Sequence, residues 1–225
     1  MSEYPIPHGL ARRIDHTLLR PEAGEADIRR LCDEARRYSF FGVCINPLWV
    51  RLAVECLENT DIKVISVAGF PLGASRTDIK VAEACSAVED GALEIDMVAP
   101  IGLMRDDRFA EVEADIRKVR RNLPNMVTLK VILEVGLLTP GQIRNGVSAV
   151  VNAGAQFVKT GTGFFGVCTT EQVVLLFGLS SGRIQVKAAG GIKTLDQCHA
   201  LLEAGASRIG SSGSVAIMQE PAGLV

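Results

Sequence analysis

An α/β fold, a (β/α)8 barrel of the TIM type filling residues 1–225 as a single domain, is the fold class that the sequence predicts, on three observations. Short apolar, β-branched runs recur along the chain, with eight candidates. A stretch with helical spacing follows each of them. One local pattern, a glycine leading straight into a short buried strand, occurs three times.

The first run is centred on Ile14, followed by residues 42–45 and 62–68, both too short for helices and rich in Val and Ile. The fourth and fifth are residues 93–98 and 127–133, and between them Ala110, Val112, Ile116 and Val119 mark a helix face. Residues 157–158, 184–186 and 208–209 complete the series. The repeats are Gly91-Ala92-Leu93-Glu94-Ile95-Asp96, Gly154-Ala155-Gln156-Phe157-Val158-Lys159 and Gly205-Ala206-Ser207-Arg208-Ile209-Gly210. Each glycine suits the left-handed position that ends a helix, so each repeat closes near the C-terminal end of a strand. In a barrel of this kind those ends form one mouth, where Asp96, Lys159 and Gly210 are expected together. No linker, low-complexity segment or charge block interrupts the alternation.

Composition narrows the function classes. A net charge of −2 leaves no electrostatic footprint for nucleic acid or an anionic membrane surface. The six cysteines stand singly, without a C-x-x-C pair, which reads as reduced thiols in a cytoplasmic protein. The start of the chain has no signal-peptide pattern, and no uninterrupted apolar run reaches ~18 residues. The expected partners are small molecules and further copies of the chain; Phe40-Phe41 and Trp49 fit either an interface or the core. The three histidines, His8, His16 and His199, show no metal-binding spacing, and no metal or cofactor is expected. A G-x-S-x-G elbow is also missing.

Two lysines end apolar strands: Lys159 after Phe157-Val158, and Lys187 after Ile184-Gln185-Val186. A buried ammonium is expensive, so each requires either a carboxylate partner or a task. As a pair they favour the task. A free lysine is neutral in only about one molecule in 2,500 at pH 7, and a nucleophilic amine needs a pKa lower by about three, or ~4 kcal/mol. A second ammonium at ~6 Å and an effective dielectric of ~20 supplies about 3 kcal/mol, and desolvation can add the remainder. The pattern therefore points to Lys159 attacking a carbonyl to form a Schiff base while Lys187 disfavours its protonation. Asp96 alternates with Glu94 on one strand face and suits a proton shuttle, or a salt bridge to Lys187. Lys130 is a third inward candidate, balancing Glu134 or Asp96.

Gly161-Thr162-Gly163-Phe164-Phe165-Gly166 matches G-x-G-x-x-G, but no Asp or Glu occurs from Gln172 to Leu195, where a dinucleotide site needs one. These glycines fit better as backbone donors to an anion. Gly190-Gly191 and Gly210-Ser211-Ser212-Gly213 follow the seventh and eighth strands, where barrels commonly hold phosphate. Ordinary turn chemistry would use the same residues. His16 beside Asp15 is either catalytic or a polar pair closing the first strand.

Taken in order, Ile14-Asp15-His16-Thr17-Leu18-Leu19, Val43-Cys44-Ile45-Asn46-Pro47, Gly69-Phe70-Pro71-Leu72-Gly73, Glu94-Ile95-Asp96-Met97-Val98, Leu129-Lys130-Val131-Ile132-Leu133-Glu134, Phe157-Val158-Lys159-Thr160 and Val186-Lys187-Ala188-Ala189-Gly190-Gly191-Ile192 resemble the deoxyribose-phosphate aldolase family over nearly the whole chain. The resemblance implies a class I aldolase of deoxyribonucleotide catabolism that cleaves 2-deoxy-D-ribose 5-phosphate to glyceraldehyde 3-phosphate and acetaldehyde without a metal. It implies Lys159 as the Schiff-base lysine, Lys187 as its proton-relay partner and Asp96 as the general acid/base. It also places Thr17, Cys44, Lys130 and Thr162 in the substrate pocket, and Gly163, Gly190, Gly191, Gly210, Ser211 and Ser212 on the phosphate loops. A homo-oligomer, dimer or tetramer, is implied as well. Gly161 stands where the family usually has serine, and Gly213-Ser214 exchanges its usual final serine and glycine. The alternatives are another class I aldolase acting on a different phosphorylated sugar, and a catalytically silent sugar-phosphate-binding barrel.

Overall fold

The computed structural model describes residues 9–220, and His8 lies outside them. Eight parallel strands close into a barrel in sequence order, β1 to β8, with β8 pairing back onto β1. They are β1 Ile14–Leu18, β2 Gly42–Ile45, β3 Lys63–Ala68, β4 Glu94–Val98, β5 Thr128–Ile132, β6 Phe157–Lys159, β7 Gln185–Ala189 and β8 Arg208–Ser211. The expected barrel is thus the observed one. The helices are α1 Glu25–Tyr38, α2 Val50–Cys56, α3 Thr77–Glu89, α4 Ile101–Arg105, α5 Phe109–Asn122, α6 Pro140–Ala153, α7 Thr170–Ser180, α8 Leu195–Glu203 and α9 Ser214–Gln219. The short α4 goes beyond a simple alternation.

The local chemistry of the chain explains where the later helices begin. Thr139, Thr169 and Thr194 each accept a hydrogen bond from the backbone N–H of a glutamine three residues on, and that glutamine's side chain reaches back to the threonine N–H. These reciprocal caps satisfy two otherwise orphaned donors at the start of α6, α7 and α8. Gly154 ends α6 at φ 84°, in the left-handed region, and Gly91 and Gly205 adopt φ 107° and 110° before β4 and β8. The repeat seen in the sequence is therefore a real helix-to-strand joint. β4 ends at Val98 as expected, whereas β7 continues past the expected 184–186 to Ala189, so Asp96 and Lys187 both sit mid-strand rather than at the rim. That extra depth is why both are buried.

The main core lies between the strands and the helices, where Phe40 is wholly buried, so it is a core residue and not an interface one. Inside the barrel the residues divide by chemistry. Cys44, Ile65 and Val67 on β2 and β3 form a small apolar cluster with Leu19 and Phe70 against it. The strands β1 and β4 to β8 face this wall with ionisable groups.

Candidate active site

Lys159, Lys187 and Arg208 are register neighbours across β6, β7 and β8. Adjacent strands lie ~4.8 Å apart, so three cationic side chains leave the sheet side by side. Carboxylates from β1 and β4 meet them. Lys159 Nζ donates to Asp96 Oδ2 at 2.9 Å, and Lys187 Nζ donates to the same oxygen at 2.7 Å. Lys187 also pairs with Asp15. On the other side of Asp96, Oδ1 accepts from Lys130 Nζ at 2.8 Å, and Lys130 pairs with Glu94 at 2.5 Å. Arg208 Nη1 bridges Asp15 Oδ1 at 2.9 Å and Glu94 Oε2 at 3.2 Å, its guanidinium carbon 3.3 Å from the centroid of the Phe41 ring.

Every charge in this group is therefore paired, as burial demands. Four cations face three carboxylates. Lys130, Lys187 and Arg208 each contact two carboxylates, whereas Lys159 contacts one oxygen of Asp96 and shares it. Lys159 is the least-paired member of the cluster.

Burial by itself would push the Asp96 carboxyl up, but Lys130, Lys159 and Lys187 outweigh it and hold the group well below the usual carboxylate range. Asp15 is likewise lowered against its burial, by Lys187, Lys130 and Arg208. Lys187 moves the other way: burial disfavours its charge, yet Asp15 and Asp96 raise it above the ordinary lysine value. The Cys44 thiol is pushed up to about 11, mainly by burial, so at neutral pH it is a protonated apolar contact.

Above the cluster opens a cavity of about 710 Å³. Lys159 lines it together with Thr17, Thr162, Gly163, Gly190, Gly191, Gly210, Ser211 and Ser212. One mouth thus gathers the Schiff-base candidate, two of the pocket candidates and all six candidates on the glycine-serine loops. Asp96, Lys187, Lys130 and Cys44 are buried beneath, outside the lining. Lys130 is wholly buried between Glu94 and Asp96, which makes it part of the ionic foundation.

A family profile described as DeoC/LacD family aldolase matches residues 10–220. The chain belongs to that family. A deoxyribose-phosphate aldolase of Deinococcus radiodurans is 49% identical to it over 210 residues, covering 93% of this chain and 95% of the relative. One from Halalkalibacterium halodurans is 44% identical over 215 residues, covering 95% and 96%. Among solved structures, the tetrameric deoxyribose phosphate aldolase of Aeropyrum pernix superposes with a TM-score of 0.86 at 33% identity, covering 95% of this chain and 91% of that one.

In this DeoC/LacD aldolase the loops at the mouth are tied to one another. Ser211 Oγ donates to the Ile192 carbonyl at 2.7 Å and accepts from Gly213 N–H at 3.0 Å, joining the loop after β7 to the loop after β8. The Ser211 hydroxyl is thereby committed, while Ser212 is exposed. Cys168 N–H donates to the Gly190 carbonyl at 2.9 Å, bringing the loop after β6 onto the same assembly.

His16 points away from the ionic cluster, as the alternation from Asp15 and Thr17 requires. It reaches the outer end of the cavity, where Nε2 bonds Glu34 Oε2 at 2.8 Å and the ring tilts against Phe40 at a centroid distance of 5.0 Å. Nδ1 is buried without a hydrogen-bond partner among the described residues. Protonation there would bury an unsatisfied N–H, and burial lowers the pKa of His16 despite the opposing pull of Glu34. A depressed histidine contributes stability that is complete above its unfolded pKa of ~6.5 and is lost as pH falls toward the folded value. The melting temperature should therefore drop between pH 7 and pH 5, and drop less in His16→Gln. Parallel melting curves for both proteins check this.

Three cluster members lie outside the site residues that the sequence singles out: Asp15 and Arg208, which pair across the β1–β8 closure, and Glu94, which pairs with Arg208 and Lys130. Alternation already puts Glu94 on the face of Asp96, and the same step from Thr17 reaches Asp15. Glu134, by sequence a possible partner for Lys130, bonds Thr162 instead.

Proposed function

We propose that this aldolase reversibly cleaves 2-deoxy-D-ribose 5-phosphate to D-glyceraldehyde 3-phosphate and acetaldehyde, with Lys159 as the Schiff-base lysine. The observation that carries the assignment is Lys159 Nζ at the cavity floor, held by a single oxygen that it shares with Lys187. The other three cations already balance the three carboxylates, so chemistry at the Lys159 amine strands no buried carboxylate.

In this reading the amine adds to C1 of the open-chain sugar and water leaves, giving an imine. Removal of the C3 hydroxyl proton breaks the C2–C3 bond, and its electrons pass into the imine to form an enamine. Protonation at C2 and hydrolysis then release acetaldehyde. Asp96, bonded to the Lys159 amine, and Lys187, on the same carboxylate oxygen, serve as proton carriers. The backbone N–H groups of Gly163, Gly190, Gly191 and the Ser211-Ser212 turn supply donors for the phosphate. The family relatives named above support this substrate, as does a cavity lined both by the Lys159 amine and by the glycine-rich loops.

Incubation with acetaldehyde and borohydride should leave an ethyl group on the peptide containing Lys159. A sugar-phosphate-binding barrel without chemistry would leave none. Faster turnover with dihydroxyacetone than with acetaldehyde as donor would instead assign another class I aldolase. We further infer self-association, supported by Val174 and Phe177 exposed on α7 and by the tetrameric Aeropyrum relative. The free cysteines, together with the absence of any helix among the described residues long and apolar enough to cross a membrane, support a cytoplasmic location.

A further inference from the structure

Glu134 is a buried carboxylate that the proposed chemistry does not use. It follows β5 at φ 56° and ψ 57°, a left-handed conformation that a non-glycine residue adopts only at a cost in backbone strain. Something in the surroundings must hold it there. Its Oε2 accepts two hydrogen bonds from one residue, Thr162 N–H at 2.9 Å and Thr162 Oγ1 at 2.6 Å. The Thr162 hydroxyl in turn accepts from Phe164 N–H at 3.1 Å. Two N–H groups of the segment after Lys159 are thus engaged, one by the carboxylate and one through it. Gly163 N–H, between them, has no acceptor among the described residues. Gly163 is exposed at φ 87° and lines the cavity.

Gly161 fits the same arrangement. A Cβ at this position would stand 2.6 Å from Glu134 Oε1, so the carboxylate occupies the space a side chain would need. The serine usual in the family would have to share that space. In this chain the loop is held from the β5 side by one carboxylate.

We propose that Glu134 is a positioning residue for the substrate phosphate: it fixes the backbone from Gly161 to Phe164 so that Gly163 N–H faces the cavity as an anion donor. This rests on the reading of the cavity as a sugar-phosphate site. It adds a residue that touches neither substrate nor Lys159 and acts through Thr162. A carboxamide at 134 keeps an oxygen able to accept both Thr162 bonds, whereas alanine removes the clamp.

The test compares 2-deoxyribose 5-phosphate with unphosphorylated 2-deoxyribose, using the purified full-length chain. In Glu134→Ala the ratio of kcat/KM between the two sugars should fall by at least ~10-fold, the loss of one well-placed donor, and the fall should appear in KM for the phosphorylated sugar. Glu134→Gln should retain most of the ratio. Should the alanine variant fail to fold, Thr162→Val reads the clamp from its other end and should lower the ratio in the same direction. An unchanged ratio in Glu134→Ala or Thr162→Val, or a glutamine variant as impaired as alanine, overturns the proposal. Borohydride trapping of wild type with acetaldehyde separates the two levels: no adduct on Lys159 defeats the underlying reading, whereas an adduct with an unchanged ratio defeats only the role of Glu134.

Discussion

Lys159→Leu is expected to abolish turnover and borohydride trapping while leaving a folded protein at least as stable as wild type. The catalytic loss should be on the order of 10⁴-fold or more, because the other lysine lining the cavity among the described residues, Lys193, is exposed on the loop after β7 and outside the ionic cluster. The stability half of the expectation follows from charge. Removing one member of a buried ion pair usually costs ~3–5 kcal/mol, since the partner is stranded. Here Asp96 keeps Lys130 and Lys187, and the variant leaves three cations for three carboxylates. Leucine also extends the apolar side of a buried site. Circular dichroism melts beside a coupled activity assay decide both halves, and a folded variant with wild-type turnover would sink the assignment of Lys159.

Asp96→Asn should injure both function and fold. Asparagine occupies nearly the same volume but brings no charge to three ammonium groups, and one face of its amide presents N–H donors to them. A loss of ~10²–10⁴-fold in kcat is expected for a missing proton carrier. Stability should fall by about 3–5 kcal/mol, or roughly 10 °C in melting temperature. The pH dependence gives this a second reading. Because the folded Asp96 carboxyl is held well below its unfolded pKa of ~3.9, its contribution is complete above that value and is lost only as pH falls further. The stability gap between wild type and Asp96→Asn should thus be constant from pH 8 to about pH 5 and narrow in stronger acid. A gap that closes already near pH 6 would mean that a different group carries the effect.

The barrel was legible because its signals are local and repeated. Three glycine-led joints and short β-branched runs separated by amphipathic stretches leave few other arrangements. Lys159, Lys187 and Asp96 stood out for a related reason: each is an ionisable residue within an apolar run, where burial can be inferred from neighbours. Arg208 stands in Ser207-Arg208-Ile209-Gly210, too short a run to distinguish an inward guanidinium from a surface one. Its partner Asp15 lies 193 residues away and becomes adjacent only when β8 closes on β1. Glu134 was harder still, because its role depends on a left-handed backbone just past the strand, which no periodicity encodes. Strand length was misjudged at β7 because Ala188-Ala189 carries little β propensity; neighbouring strands, not the residues, extend it.

The ionic network has a direction along the chain. Every carboxylate in it, Asp15, Glu94 and Asp96, comes from the first four strands, and every cation, Lys130, Lys159, Lys187 and Arg208, from the last four. A fragment ending after β4 would enclose only negative charge, and its complement only positive charge. Neither half can close upon itself without stranding its ions, yet each is the other's counterion. Gene duplication of either half would therefore not regenerate this barrel, whereas two separately made halves should find one another.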